Sequence, residues 1–305
     1  MKKILILSGG YSKEKEISRA SAKSIYKTLK DKYKILVCEP DSEFISKIKK
    51  FKPDVVYNSL HGRFGEDGYI QALLENLKVK YTHSGVNSSS IAMDKEISKR
   101  IFIRNNIRTP KFLKLNNFDL IKNKNILLKN IEIKLGFPVV IKPVDEGSSV
   151  DVNICNKKNI IKNLKKLSSY KEVLVEKYIG GREIQVAIMG NKKLGAIELK
   201  PKRKFYDYQA KYNTNAKTQH IIPIELPKNK LDQVMNMAFK AHKTIGCKGV
   251  TRSDFKFFKD KFYLLEINTQ PGMTKLSLVP EIAAHHGISF KNLIEWILKD
   301  ASTKK

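Results

Sequence analysis

The stretch TRSDFKFFKDKFYLLEINTQPGMT, Thr251 to Thr274, decides how this chain is read. Ser253–Phe258 and Phe262–Asn268 carry the aromatic and apolar residues of strands, and Lys259-Asp260-Lys261 between them predicts a tight turn. A hairpin centred on Asp260 sets Asp254 opposite Glu266 and Arg252 opposite Asn268. Alternation puts these four side chains on one face, and Phe255, Phe257, Leu265 and Ile267 on the other, which reads as a core face. Two carboxylates opposite one another repel unless something positive lies between them. A hard divalent metal with oxygen ligands is the natural occupant, and the flanking arginine points toward phosphate chemistry. The alternative is a solvated hairpin whose charges serve solubility. The apolar opposite face and the Thr269-Gln270-Pro271-Gly272-Met273-Thr274 turn that follows favour a site.

Bulk composition narrows the setting. The chain has 305 residues, enough for about two or three domains with a sizeable core, and 41% of them are hydrophobic. That is a globular composition and not a disordered one. No apolar run approaches the ~20 residues of a membrane span. Ile4–Leu7, before Ser8-Gly9-Gly10, is too short for a signal-peptide core and reads as a first buried strand. Cys38, Cys155 and Cys247 are scattered without metal-ligand spacing, so no structural disulfide and a reduced, cytoplasmic setting are expected.

Along the chain, residues 1–90 alternate strand and helix. Lys3–Leu7, Lys34–Glu39 and Asp54–Ser59 read as strands, Ser18–Lys30 and Tyr69–Leu77 as helices, with a short strand near Lys80. This is the pattern of an open parallel sheet covered by helices. A helix over Asp94 to Asn106 follows, then strand Pro138–Lys142, a Gly-Ser loop, strand Val150–Ile154, a helix around Lys157–Leu167 and strand Val173–Glu176. Gly180-Gly181 reads as a hinge. Beyond it the chain is strand-rich, with an irregular polar stretch at Arg203–Thr218 and helices at Leu231–Ile245 and Phe290–Lys299.

Four further constellations carry chemistry. Lys142-Pro143-Val144-Asp145-Glu146-Gly147-Ser148-Ser149 follows an apolar strand and offers a cation with free N–H groups, a concave site for an anion, though without Walker spacing. Glu176-Lys177-Tyr178-Ile179-Gly180-Gly181-Arg182-Glu183 reads either as a purine-binding strand, with Glu183 on a ribose hydroxyl, or as a charged hinge. Tyr206–Tyr212 is aromatic and polar, suited to a lid that brings Lys211 onto a phosphate, or to a surface loop. His61-Gly62-Arg63-Phe64-Gly65-Glu66-Asp67-Gly68 follows a strand end, the crevice position of an open α/β sheet, and its glycines argue for backbone packed against a ligand or helix.

In this order and spacing these segments resemble the D-alanine–D-alanine ligases of the ATP-grasp superfamily along essentially the whole chain. The motifs are Gly9-Gly10-Tyr11-Ser12-Lys13-Glu14, His61–Gly68, Met93-Asp94-Lys95, Lys142 through Ser149, Tyr206–Tyr212, Arg252-Ser253-Asp254, and Glu266-Ile267-Asn268 through Thr274 with Ser277-Leu278. Gln209, and Val144-Asp145 before the Glu-Gly-Ser-Ser turn, depart from the family pattern.

The resemblance implies an α/β, three-domain ATP-grasp fold: 1–90 an N-terminal open-sheet substrate domain, 91–179 the central domain, and 180–305 the C-terminal domain with metal site and lid. It implies ATP and two Mg²⁺ (or Mn²⁺), D-alanine as substrate, no specific nucleic-acid or membrane partner, and a homodimer. By family role, Lys95, Lys142 and Lys211 would contact phosphates. Glu176, Lys177 and Ile179 would meet the adenine, Glu183 the ribose, and Asp254, Glu266 and Asn268 the metals. Glu14, with His61 nearby, would bind the first D-alanine, and Ser277-Leu278 would receive the second. Arg252 and the Gly272 N–H would stabilise an oxyanion, while Tyr212, Ser148 and Glu14 match a hydrogen-bonded trio that closes the lid. The competing enzyme reading is another ATP-grasp carboxylate–amine, or D-alanine–hydroxy acid, ligase.

The net charge of +29 offers a reading of a different class, a basic nucleic-acid-binding protein. The lysines, however, are dispersed among Asn and Ile, as at Lys122, Lys124, Lys129 and Lys134, which an AT-rich coding bias produces, and no reader motif accompanies them. Association with DNA is therefore expected to be weak and lost by physiological ionic strength. Gel-shift titrations at low and physiological salt check this; tight binding that survives the higher salt would restore the nucleic-acid reading.

Overall fold

A computed structural model describes residues 1–116, 123–148, 150–200, 218–274 and 276–305. Alternation within its first strand shows how the N-terminal layer is built. In β1 (Lys3–Leu7) the side chains of Ile4 and Ile6 join one apolar cluster, with Ala22, Ile25 and Leu29 of α1 (Lys15–Leu29). Leu5 and Leu7 join another, with Phe44 and Ile48 of α2 (Phe44–Phe51) and Ile70 and Leu74 of α3 (Tyr69–Asn76). With β2 (Lys34–Cys38) and β3 (Val55–Asn58), β1 forms a parallel sheet in the order β2-β1-β3, covered on both faces as all-parallel sheets require. The strand expected near Lys80 is reduced to isolated bridges at Tyr81, to Val56 on one side and Ser302 on the other.

Helices α4 (Val86–Met93) and α5 (Lys95–Arg104) lead into a four-stranded antiparallel sheet, β4-β7-β5-β6. Its strands are β4 (Phe112–Asn116), β5 (Val139–Pro143), β6 (Asn153–Cys155) and β7 (Glu172–Lys177). Helices α6 (Lys124–Lys134) and α7 (Ile160–Lys166) cover one face, where Leu127, Ile131, Ile160 and Leu164 pack on Val139, Ile141, Val173 and Val175.

The third sheet runs β10-β9-β8-β11-β12, all antiparallel. It comprises β8 (Arg182–Met189), β9 (Lys192–Lys200), β10 (Gln219–Ile221), β11 (Val250–Phe258) and β12 (Lys261–Asn268). Ile184, Val186 and Ile188 meet Val234, Ala238 and Ala241 of α8 (Lys228–Ile245), in a cluster that also takes Ala92, Phe102 and Ile107 from around α4 and α5. Ala187 and Met189 turn the other way, toward α9 (Leu278–His285), α10 (Phe290–Asp300) and the N-terminal layer.

The hairpin departs from expectation at two points. Its turn is two residues long, with Lys259 and Asp260 both at positive φ (46° and 59°), the primed form that matches strand twist. The register then shifts: Asp254 pairs with Glu266 as expected, but Phe255 pairs with Leu264, so Leu265 is an extra, bulged residue. Leu264 enters the core and Leu265, expected there, faces a cleft instead.

Of the pair Gly180-Gly181, Gly181 is a close crossing of backbone against β11. Gly181 has φ +84°, and a Cβ there would stand 2.2 Å from the Phe257 carbonyl oxygen. Gly181→Ala should therefore destabilise the protein by more than about 1 kcal/mol, lowering the denaturant midpoint at constant slope. An unchanged midpoint would contradict that packing.

Candidate active site

β5 and β7 turn Val140, Lys142 and Glu176 away from their helix-covered face, because Val139, Ile141, Val173 and Val175 already occupy it. Across the resulting cleft stands the hairpin, with Asp254, Lys256, Leu265 and Glu266 in its wall. The N-terminus of α5 closes one end. Asp94 caps that helix, its carboxylate accepting from the Ile97 N–H at 2.8 Å, which sets Lys95 at the cleft.

The cleft's charges neutralise one another in pairs. Glu176, only 3% exposed, lies 3.0 Å from Lys142 Nζ through Oε2 and 2.8 Å from Lys99 Nζ through Oε1. Burial alone would raise the Glu176 pKa, but the two ammonium groups outweigh it and hold the carboxyl below its usual range. Burial pushes Lys99 down to about 8 despite Glu176. Burial likewise lowers Lys95, against the pull of Glu266 at 3.8 Å, and Lys95 Nζ also donates to the Glu146 carbonyl.

On the hairpin, Arg252 grips Asp254 with Nε to Oδ1 at 2.8 Å and Nη2 to Oδ2 at 3.1 Å. The repulsion between the paired carboxylates is thus met by Arg252 on one and Lys95 beside the other. Asn268 Oδ1 accepts from the Gln270 N–H at 2.8 Å. Among the described residues no cluster of three His, Cys, Asp or Glu side chains is assembled for a metal. The donors on this face are two carboxylates and an amide, all oxygen, which suits a hard cation that keeps several waters.

Lys177, Ile179 and Glu183 line the far end of the same cleft, where Glu183 Oε2 pairs with Lys256 Nζ at 2.8 Å. A second pocket adjoins the first. Its wall holds Glu14, Ser148, Arg252 and Asn268, and shares Lys95 and Glu266 with the cleft. Ser148 Oγ donates to the Glu14 carboxylate. Glycine backbone packs around that carboxylate, since a Cβ on Gly62 or on Gly147 would come within 2.7 Å of Glu14 Oε2.

His61 Nδ1 sits 3.1 Å from Glu66 Oε1, and its buried Nε2 is without a hydrogen-bond partner among the described residues. A Cβ on Gly272 would lie 3.9 Å from that Nε2 and 3.0 Å from Ser277 Oγ, which accepts from the Thr274 N–H at 2.9 Å. Leu278 is placed differently: its side chain is buried in the core beside Val279 and Ile282. Lys211 and Tyr212 lie outside the described residues, as does Ser149.

Several participants escaped the sequence reading. Lys99 lies four residues after Lys95, on the same side of a helix that was expected, so its spacing was available as a signal. Glu66 was visible only as part of a glycine-rich turn. Lys256 and Leu265 line the cleft, although simple alternation puts Leu265 on the core face, because a bulge leaves no mark in it.

Comparison with known proteins identifies the family of the chain. Residues 38–84 match the family model described as D-ala D-ala ligase N-terminus, and residues 101–299 the model described as D-ala D-ala ligase C-terminus. A D-alanine–D-alanine ligase of Pelagibacter ubique is 66% identical over 305 residues, covering 100% of this chain and 99% of its own length. A solved D-alanine–D-alanine ligase from Bacillus anthracis superposes with a TM-score of 0.87 at 35% identity, covering 98% of this chain and 97% of the other. A D-alanine–D-alanine ligase from Bacillus anthracis complexed with ATP gives 0.85 at 32% identity, covering 98% of this chain and 97% of the other. The fold is thus the ATP-grasp arrangement, and the chain belongs to the D-alanine–D-alanine ligase family.

Proposed function

We propose that this protein joins two D-alanine molecules into D-alanyl-D-alanine for peptidoglycan precursor synthesis, with cleavage of ATP to ADP and phosphate. The observation that carries this reading is the common wall of the two pockets: Lys95 and Glu266 line both, so a nucleotide's terminal phosphate and a small amino acid can meet there. The division into residues 1–90, 91–179 and 180–305 serves it, with the nucleotide between the second and third units. Glu176, Lys177 and Ile179 receive the adenine, Glu183 the ribose, and Lys142 and Lys95, with Lys211, the phosphates.

Asp254, Glu266 and Asn268 would hold two Mg²⁺, which supply charge neutralisation at the phosphates when bound. Glu14, kept in place by Ser148 and by close glycine backbone, binds the ammonium of the first D-alanine. The carboxylate of that D-alanine attacks the γ-phosphorus, forming D-alanyl phosphate and releasing ADP. Positioning and electrostatic stabilisation do most of the work in such a transfer. The amine of the second D-alanine, seated by Ser277 and the backbone at Leu278, then attacks the acyl carbon. Arg252 and the Gly272 N–H stabilise the resulting oxyanion, and phosphate leaves as the amide forms. Tyr212 joins Glu14 and Ser148 in closing the site against water, which would otherwise hydrolyse the acyl phosphate.

No helix among the described residues is long and apolar enough to cross a membrane. We place the enzyme in the cytoplasm with its ATP supply, acting as a homodimer. Incubation with ATP, Mg²⁺ and a panel of D-amino acids and D-lactate, with products separated by chromatography, tests the assignment. D-alanyl-D-alanine and ADP should appear in equal amounts. An ester of D-lactate as main product, or ATP cleavage without a dipeptide, would contradict it.

A further inference from the structure

Lys99 is fully buried, yet it carries a charge that packing does not require. An apolar residue of similar volume would serve a core at least as well as a buried ion pair. Its ammonium is held from two elements. Nζ lies 2.8 Å from Glu176 Oε1 and donates to Thr109 Oγ1 at 2.7 Å, and that hydroxyl donates to the Leu264 carbonyl at 2.7 Å. Glu176, which lines the cleft, is thus ion-paired through one oxygen with a lysine anchored to β12 and through the other with Lys142 at 3.0 Å. The two lysines are not equivalent. Lys142 lines the cleft and can swing toward a phosphate, whereas Lys99, with no exposed surface, cannot reach one.

We propose that Lys99 is a positioning residue for the nucleotide: it keeps Glu176 fixed and paired, so that Lys142 can turn to the triphosphate without stranding a buried carboxylate. Without Lys99, releasing Lys142 would leave Glu176 desolvated and unpartnered, and that penalty would oppose nucleotide binding. With Lys99 in place, the oxygen that Lys142 vacates can accept an N–H from the adenine amino group, while the other stays held. The inference rests on the nucleotide reading of the cleft given above.

Calorimetric titration of the full-length protein with ATP and Mg²⁺, without D-alanine, tests it in four forms: wild type, Lys99→Met, Glu176→Gln and the double variant. Lys99→Met should weaken ATP binding on the order of tenfold and raise the KM for ATP alike, leaving the KM for D-alanine unchanged. In the Glu176→Gln background the same change should alter ATP affinity by less than about twofold, because the carboxylate it holds is gone. Thr109→Val keeps the charge and removes only its hydroxyl anchor; it should lose about threefold in ATP affinity, and it carries the test if Lys99→Met does not fold. Unchanged affinity in the variants would overturn the inference, as would equal losses in both backgrounds or a parallel rise in the KM for D-alanine. A wild type that does not bind ATP would remove the cleft reading itself, and this inference with it.

Discussion

Asp254 and Glu266 are paired across one hairpin with their carboxylates on the same face. At such spacing the pair resists formation unless cations compensate it, and this constraint organises the site. Arg252 closes on Asp254 from the adjacent position of the same strand face, and Lys95 approaches Glu266 from the capped start of α5. Glu176 repeats the logic deeper in the cleft, where Lys99 and Lys142 divide one buried carboxylate between them. Every acid named here has a basic partner within the protein, and of these partners Lys99 alone is wholly buried. The cleft is therefore charged but balanced before any ligand arrives.

The two antiparallel sheets make this possible by the same device. In the parallel sheet both parities are buried, but in the strands that face the cleft residues of one parity join an apolar core and residues of the other are left for a different task. For β5 and β7 the second set is Lys142 and Glu176; for β11 and β12 it is Arg252, Asp254, Glu266 and Asn268. A one-residue slip would send those side chains into the core. The bulge at Leu265 reconciles two demands: a two-residue turn with twisted strands, and a carboxylate pair that must stay in register. It also sets an apolar side chain in the wall of the cleft, where a flat base would have something to stack upon.

Much of this was legible because period-two alternation and turn residues act locally. The pairing of Asp254 with Glu266, the parallel N-terminal layer and the helix beginning after Asp94 all follow from such short-range rules. The helices at Phe44–Phe51, Val86–Met93, Lys124–Lys134 and Leu278–His285 were not anticipated. They are short or lysine-laden, and their apolar stripes gain meaning only against the sheets they cover. Lys99 was missed for a related reason. A lysine is expected in solvent, and its four-residue spacing from Lys95 does not by itself announce that Glu176 and Thr109 converge on it. Leu278, matched to a substrate role by its motif, lies in the core because α9 begins there.

The central claim is that the hairpin's carboxylate pair is a metal-dependent phosphate site and not a structural feature. Magnesium titration of turnover in Asp254→Asn and Glu266→Gln, with thermal unfolding followed in parallel, tests it most directly. Both variants should remain folded while turnover falls on the order of a hundredfold or more, with half-maximal rate shifted to higher magnesium. Folded variants that turn over at the wild-type rate with an unchanged magnesium requirement would contradict the account.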